Sequence, residues 1–227
     1  MKDYYSDKLS AKRLQRIYEI APPRVKQYFE AEVNHVLRKI NNQDLVLELG
    51  CGYGRVLPSL AKKAKSVFGI DTSLSSLLLG KELLGNNSNC FFVQMNAVQL
   101  SFPNNIFDVV VCIQNGISAF HVNQKELILE SLRVTKQNGI VLFSSYSEKF
   151  WCDRLQWFQL QSDNGLLGEI DYERTINGYI VCKDGFTATT VRIDQFKTLT
   201  SGIDNVIVKL EEVDESAVFC ELISINK

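Results

Sequence analysis

The run Leu45-Val46-Leu47-Glu48-Leu49-Gly50-Cys51-Gly52-Tyr53-Gly54 constrains the fold of this chain more than any other stretch. Its first half is a short apolar run, the pattern of a strand buried on both faces. Glycines then recur at alternate positions, where the backbone can turn sharply and come close to a bound molecule. Residues 55–63 follow with a helical pattern, so the turn faces the positive end of a helix. The same alternation continues downstream. Ser66-Val67-Phe68-Gly69-Ile70 ends in Asp71, and Leu74, Leu77, Leu78 and Leu79 then take up helical spacing. Cys90 to Val93 and Phe107 to Ile113 are further apolar runs, and a helix over 124–135 leads through Asn138-Gly139 to Ile140 to Phe143. Short apolar runs alternating with helices predict βαβ units, right-handed crossovers and a doubly wound, Rossmann-like α/β sheet.

The flanks read differently. Residues 8–20 predict a helix capped by Ser6 or Asp7, and Pro22-Pro23 separates it from a second helix that starts near Pro23. In that helix Val25, Tyr28, Phe29, Val33, Val36, Leu37 and Ile40 form the apolar face, and Lys26, Glu30, Glu32 and Arg38 the polar one. Residues 148–159 read as another helix, carrying Trp151 and Trp157. Residues 168–191 alternate in short stretches around Asn177-Gly178 and Asp184-Gly185, a hairpin signal. A helix over 193–199 and strands over 205–212 and 217–225 finish the chain, the last strand antiparallel. The expected organisation is one domain over 1–227: a helical cover (1–42), a core (43–150), a small antiparallel insertion (168–191), and the closing helix and strands (192–227).

Composition narrows the classes of function. The chain has 227 residues, 45% of them hydrophobic, and a formal net charge of -1. That suffices for a sizeable core, and without clustered lysine and arginine no nucleic-acid partner is expected. None of the six cysteines forms a C-x-x-C pair, so no metal site is expected, and they read as buried small hydrophobes in a reducing compartment. The first residues carry no apolar signal core, and no apolar run reaches membrane-spanning length. The expectation is a cytoplasmic protein with no membrane partner, as a monomer or homodimer.

The charge at the glycine turn discriminates between ligands. A dinucleotide site takes G-x-G-x-x-G with a pyrophosphate over the helix end. Here the spacing is G-x-G-x-G, and Glu48 precedes it. Its carboxylate would repel a pyrophosphate but suits a ligand bearing an ammonium and a sulfonium, which favours S-adenosylmethionine over NAD. Asp71 ends the next strand about 20 residues on, where a carboxylate accepts hydrogen bonds from ribose hydroxyls.

Together Val46 to Arg55, Gly69-Ile70-Asp71-Thr72-Ser73, Phe107 to Val111 and Arg133 to Phe143 resemble the class I S-adenosylmethionine-dependent methyltransferases, of the small-molecule, type 11/25-like kind. The resemblance covers residues 40–150 well and the rest loosely. It implies a seven-stranded, mostly parallel sheet with an antiparallel last strand and the cofactor across the C-terminal strand edges. It implies that Gly50, Cys51, Gly52 and Gly54 lie against the methionine moiety, that Glu48 reaches its amino group, and that Asp71 holds the ribose. Thr72 and Ser73 would flank the adenosine, and Asn96-Ala97 stand where the family often places an acidic contact to adenine. The segment Ile113-Gln114-Asn115-Gly116-Ile117-Ser118-Ala119-Phe120-His121 would line cofactor and acceptor; it resembles small-molecule enzymes rather than the N-P-P-Y type. Gln114 is bulkier than the glycine often found there.

The implied activity is transfer of a methyl group to a small-molecule acceptor, with S-adenosylhomocysteine as product. Protein or RNA methylation, or a partner subunit that binds cofactor without turnover, are the alternatives. Candidate catalytic residues are His121 and Tyr146, and candidate acceptor contacts are Tyr5, Tyr18, Asn115 and His121. Each of these has an ordinary structural alternative, as a surface histidine or a packed tyrosine.

Overall fold

The structure is a computed structural model that describes residues 9–85 and 89–225. The strands are β1 (Leu45–Leu49), β2 (Ser66–Asp71), β3 (Cys90–Gln94), β4 (Phe107–Cys112), β5 (Thr135–Tyr146), β6 (Ile180–Val181), β7 (Thr187–Ala188), β8 (Val206–Val213) and β9 (Ala217–Ser224). Among the described residues seven of them form one sheet in the order β3-β2-β1-β4-β5-β9-β8. The first five strands run parallel, whereas β9 pairs antiparallel with both β5 and β8. The strand order runs outward in both directions from the β1–β4 pair. That is the switch point where an open α/β sheet leaves a crevice beyond its C-terminal strand ends.

The helices are α1 (Ala11–Glu19), α2 (Pro23–Leu37), α3 (Leu57–Ala61), α4 (Leu74–Leu84), α5 (Gly116–Ala119), α6 (Gln124–Val134), α7 (Trp151–Asp163) and α8 (Ile193–Thr200). Alternate strand residues serve opposite cores. Val46, Val67, Val109 and Val111 pack with Ile17, Val25, Tyr28 and Leu57 of α1 to α3 and with Trp157 of α7. Leu47, Ile70, Val110, Val141 and Phe143 pack with Ile117, Leu127, Ile128 and Phe196 of α5, α6 and α8. Helices on both faces explain why these strands read as unbroken apolar runs.

Three local readings are corrected. The Asn138-Gly139 pair does not precede the fifth strand but lies inside it: Phe107 pairs with Thr135, and the register shifts before Val109 meets Ile140. Asn138 takes up the irregularity at φ 61°. The buried stripe of α2 is Val25, Tyr28, Phe29, Glu32, His35 and Val36, so Glu32 leaves the predicted polar side, and His35 is buried with it. His35 stacks on Phe219 of β9 at 4.2 Å between ring centroids. Finally, α7 extends to Asp163, beyond the expected end at 159.

The insertion is a short hairpin, β6 with β7, turning through Asp184-Gly185. A second tight turn at Asn177-Gly178 brings Ile176 and Tyr179 together, with Gly178 at φ +87°. Among the described residues no helix is long and apolar enough to cross a membrane.

Candidate functional site

A cavity of about 460 Å³ lies over the C-terminal ends of the parallel strands. From the sheet come Glu48 near the end of β1 with Gly50 to Gly52 beyond it, Asp71 at the end of β2 with Thr72 and Ser73, Met95 to Ala97 after β3, and Ile113 and Gln114 after β4. From outside it come Leu14, Ile17 and Tyr18 of α1, Trp157, Phe158 and Gln161 of α7, and Phe186 of the insertion.

The glycine turn is built against Asp71. The Cys51 amide donates to the Ile70 carbonyl (2.9 Å), and the Gly52 amide donates to Asp71 Oδ2 (2.9 Å). The other carboxylate oxygen, Oδ1, accepts from the Ser73 amide at 2.8 Å. Asp71 therefore ties two adjacent strand ends together. Gly52 stands at φ +56°, and a Cβ there would come within 2.8 Å of Leu14 Cδ2. The covering helix thus rests on bare glycine backbone. Gly54, at φ +77°, faces away from the cavity, and a Cβ on it would meet the Phe92 ring at 2.5 Å.

Glu48 and Arg55 supply the charge. Glu48 is 5% exposed, and its Oε2 is buried with no hydrogen-bond partner. Burial pushes its carboxyl up to about 7, a rise that the Arg55 charge opposes and the Asp71 charge supports. The Arg55 guanidinium sits over the rings of Tyr18 (4.5 Å) and Phe29 (4.8 Å), a desolvated cation–π arrangement. Its Nε and Nη2 are buried and also lack partners. An anion and a cation are thus held inside one cavity with unused hydrogen-bonding capacity.

The segment after β4 is conformationally strained and tightly held. Gln114 and Asn115 are both left-handed, at φ 56° and 61°, which is uncommon for residues other than glycine. Glu32 of α2 accepts from the Gln114 amide at 3.3 Å, and from the hydroxyl of Ser144 on β5. Glu32 is fully buried, and burial raises its carboxyl to about 7 against the lowering effect of the Ser144 hydroxyl. The Asn115 side chain donates to the Thr189 carbonyl (2.8 Å) and accepts from Ser145 Oγ (2.8 Å). On the cavity side Gln114 Oε1 accepts from the Tyr18 hydroxyl at 2.8 Å.

α1 is clamped over the cavity from both ends. Its first amide, Ala11, donates to Ser76 Oγ of α4 (2.9 Å). Trp157 Nε1 of α7 donates to the Ile17 carbonyl (3.1 Å), and Arg13 Nη2 donates to the Gly165 carbonyl (2.8 Å).

The cavity gathers most residues expected at the cofactor: Glu48, Gly50, Cys51, Gly52, Asp71, Thr72, Ser73, Asn96, Ala97, Ile113 and Gln114. Gly54 does not line it; it packs under Phe92 instead. Tyr18 and Tyr146 both line it. Asn115 is buried behind the wall, where its amide is occupied by Thr189 and Ser145. His121 is exposed, outside the lining, in the left-handed residue that follows α5. Tyr5, with the proposed caps Ser6 and Asp7, lies outside the described residues. Sequence reasoning missed Arg55 and Glu32 as site groups, and missed Phe158, Gln161 and Phe186 altogether. Arg55 carried a usable signal, since it directly follows the last glycine of the turn.

Comparisons with known proteins bear on the domain that carries this cavity. The family model described as a methyltransferase domain matches residues 46–139. An uncharacterised protein of Methanocaldococcus jannaschii is 33% identical over 63% of this chain and 51% of its own length. The 2-methyl-6-phytyl-1,4-hydroquinone methyltransferase of Synechocystis is 29% identical over 56% of this chain and 42% of its own. The chain thus spans about half the length of these curated relatives, or less. The crystal structure of the N-methyltransferase NodS from Bradyrhizobium japonicum, in complex with S-adenosylhomocysteine, shares the fold at a TM-score of 0.59 and 15% identity, over 97% of this chain and 100% of that one. Residues 46–139 of this chain thus match a methyltransferase domain, set in a doubly wound sheet with an antiparallel end and an acidic glycine turn at its switch point.

Proposed function

We propose that this protein transfers the methyl group of S-adenosylmethionine to a small-molecule acceptor and releases S-adenosylhomocysteine. The observation that carries the reading is the buried, unpartnered carboxylate oxygen of Glu48, facing the cavity beside a bare glycine turn. Asp71 stands at the next strand edge. The residues fit the cofactor group by group. Glu48 matches an ammonium, and the buried Arg55 guanidinium nearby matches a carboxylate, so the pair complements an amino-acid tail. Asp71 offers a carboxylate to ribose hydroxyls, and Met95 to Ala97 with Ser73 form the walls for a base.

When bound, the cofactor supplies a methyl group on a positively charged sulfur. The chain's part is then positioning, because displacement at that carbon requires an in-line acceptor. Gln114 and Tyr18, fixed to each other, stand between the strand edges and the α7 side of the cavity. Tyr146 is the ionisable candidate among the proposed catalytic residues that lines the cavity, whereas His121 points to solvent. The limited volume, beneath a clamped α1, supports a small acceptor over a protein or RNA segment. The named hydroquinone methyltransferase among the relatives supports the same reading.

The test is turnover. Incubation of the full chain with S-adenosylmethionine and pooled phenols, acids, thiols and amines is expected to form S-adenosylhomocysteine above the rate without protein. Tight cofactor binding with no turnover across all pools would contradict the assignment as an enzyme.

A further inference from the structure

The cavity has two ends of different chemistry. The strand edges hold both of its described carboxylates, Glu48 and Asp71. The opposite end is walled by Tyr18, Tyr146, Trp157, Phe158 and Phe186, and among the described lining residues it contains no carboxylate. Its rings are continuous. The centroids of Tyr18 and Trp157 lie 6.4 Å apart, those of Trp157 and Phe158 5.9 Å, and those of Phe158 and Phe186 6.2 Å.

Two side-chain amides interrupt this apolar wall. Gln161 lies one turn beyond Trp157 on α7, so both face the same way. It is 3% exposed, lines the cavity, and its Nε2 has no hydrogen-bond partner. Gln114 Nε2 is likewise buried without a partner. The orientation of Gln114 is fixed, since its Oε1 is committed to the Tyr18 hydroxyl at 2.8 Å. Buried donors left unsatisfied carry a desolvation cost that a ligand oxygen relieves. Among the described lining residues, the buried unsatisfied amide atoms at this end are two nitrogens, which donate, and no carboxylate stands there to balance an incoming cation.

We propose that this compartment binds the methyl acceptor as a flat aromatic acid, its ring against the Tyr18–Trp157–Phe158–Phe186 wall and its carboxylate oxygens accepting from Gln161 Nε2 and Gln114 Nε2. The proposal rests on the methyl-transfer reading, because the compartment is an acceptor site only if the strand-edge end holds the cofactor.

The experiment is calorimetric titration of the full chain. S-adenosylhomocysteine is titrated first, then benzoate, cyclohexanecarboxylate or benzylammonium into the saturated complex. Benzoate is expected to bind, cyclohexanecarboxylate to bind more weakly, and benzylammonium not to bind. Gln161→Leu is expected to weaken benzoate by about tenfold, the size of one hydrogen bond to a charged acceptor. Gln161→Glu, of nearly the same shape, is expected to exclude benzoate and admit benzylammonium. Unchanged S-adenosylhomocysteine affinity in both variants shows that the fold is intact. Benzylammonium binding at least as well as benzoate, no benzoate binding, or benzoate affinity indifferent to Gln161 would each overturn the proposal. Cyclohexanecarboxylate matching benzoate would overturn its aromatic part. Failure of S-adenosylhomocysteine itself to bind would instead remove the methyl-transfer reading beneath it.

Discussion

Glu48 and Glu32 are both buried carboxylates raised to about 7, yet they do different work. Glu48 faces the cavity, and an ammonium ligand selects its ionised form. Below about pH 7 the free protein holds a proton there that must leave on binding. S-adenosylhomocysteine affinity is therefore expected to fall by up to about tenfold per unit as pH drops below that point. Glu48→Gln should bind more weakly at neutral pH and lose this dependence, as calorimetry across pH would show. Glu32 lies behind the wall and holds the strained Gln114 amide. Folded, it keeps its proton up to about pH 7, whereas the unfolded chain releases it in the ordinary carboxylate range. The folded state then binds more protons in that window, so this contribution to stability is lost as pH rises. Glu32→Gln is expected to raise the Tm relative to the parent at about pH 8, with the difference shrinking below about pH 5. A difference independent of pH would contradict this account of Glu32.

At the scale of elements, the glycine turn and the α1–α7 contact define the cavity. Gly54→Ala places a methyl against Phe92 at a left-handed position, and should destabilise the fold by about 1–3 kcal/mol in thermal or urea unfolding. Trp157→Phe keeps most of the packing but removes the bond to the Ile17 carbonyl. About 1 kcal/mol of local stability should be lost. Amide hydrogen exchange is expected to speed up in α1 more than in the sheet; a uniform change would show that this bond does not clamp α1. The turn itself was legible because its glycines, Glu48 and Asp71 lie close in sequence and end consecutive apolar runs. The clamp was not. Trp157, Gln161 and Phe186 come from segments far beyond the core, and their convergence follows from how α7 packs on α1, which residue spacing does not encode. Glu32 and His35 escaped for a related reason. Polar residues on a helix predict solvent, but here β5 and β9 supply their partners, Ser144 and Phe219.

At the scale of the molecule, the order of the sheet fixes where chemistry can occur. The β1–β4 switch point opens a crevice, and the loops after β1 to β4 all deliver side chains into it. The antiparallel β8–β9 pair extends the sheet away from the cavity, and Glu221 of β9 pairs with Lys39, just past the end of α2 (2.5 Å). Parallel strands covered on both faces announce themselves as apolar runs, which is why this architecture could be read from residues alone. The aromatic end of the cavity could not, because it is made by the cover and the insertion rather than by the repeated βα pattern. Asp71 and the Glu48–Gly54 turn are proposed to form the S-adenosylmethionine site. Calorimetry of S-adenosylhomocysteine with the parent protein and with Asp71→Ala tests it most directly. The account predicts saturable binding by the parent and a loss of at least about tenfold in the variant; no binding by the parent, or equal binding by both, would contradict it.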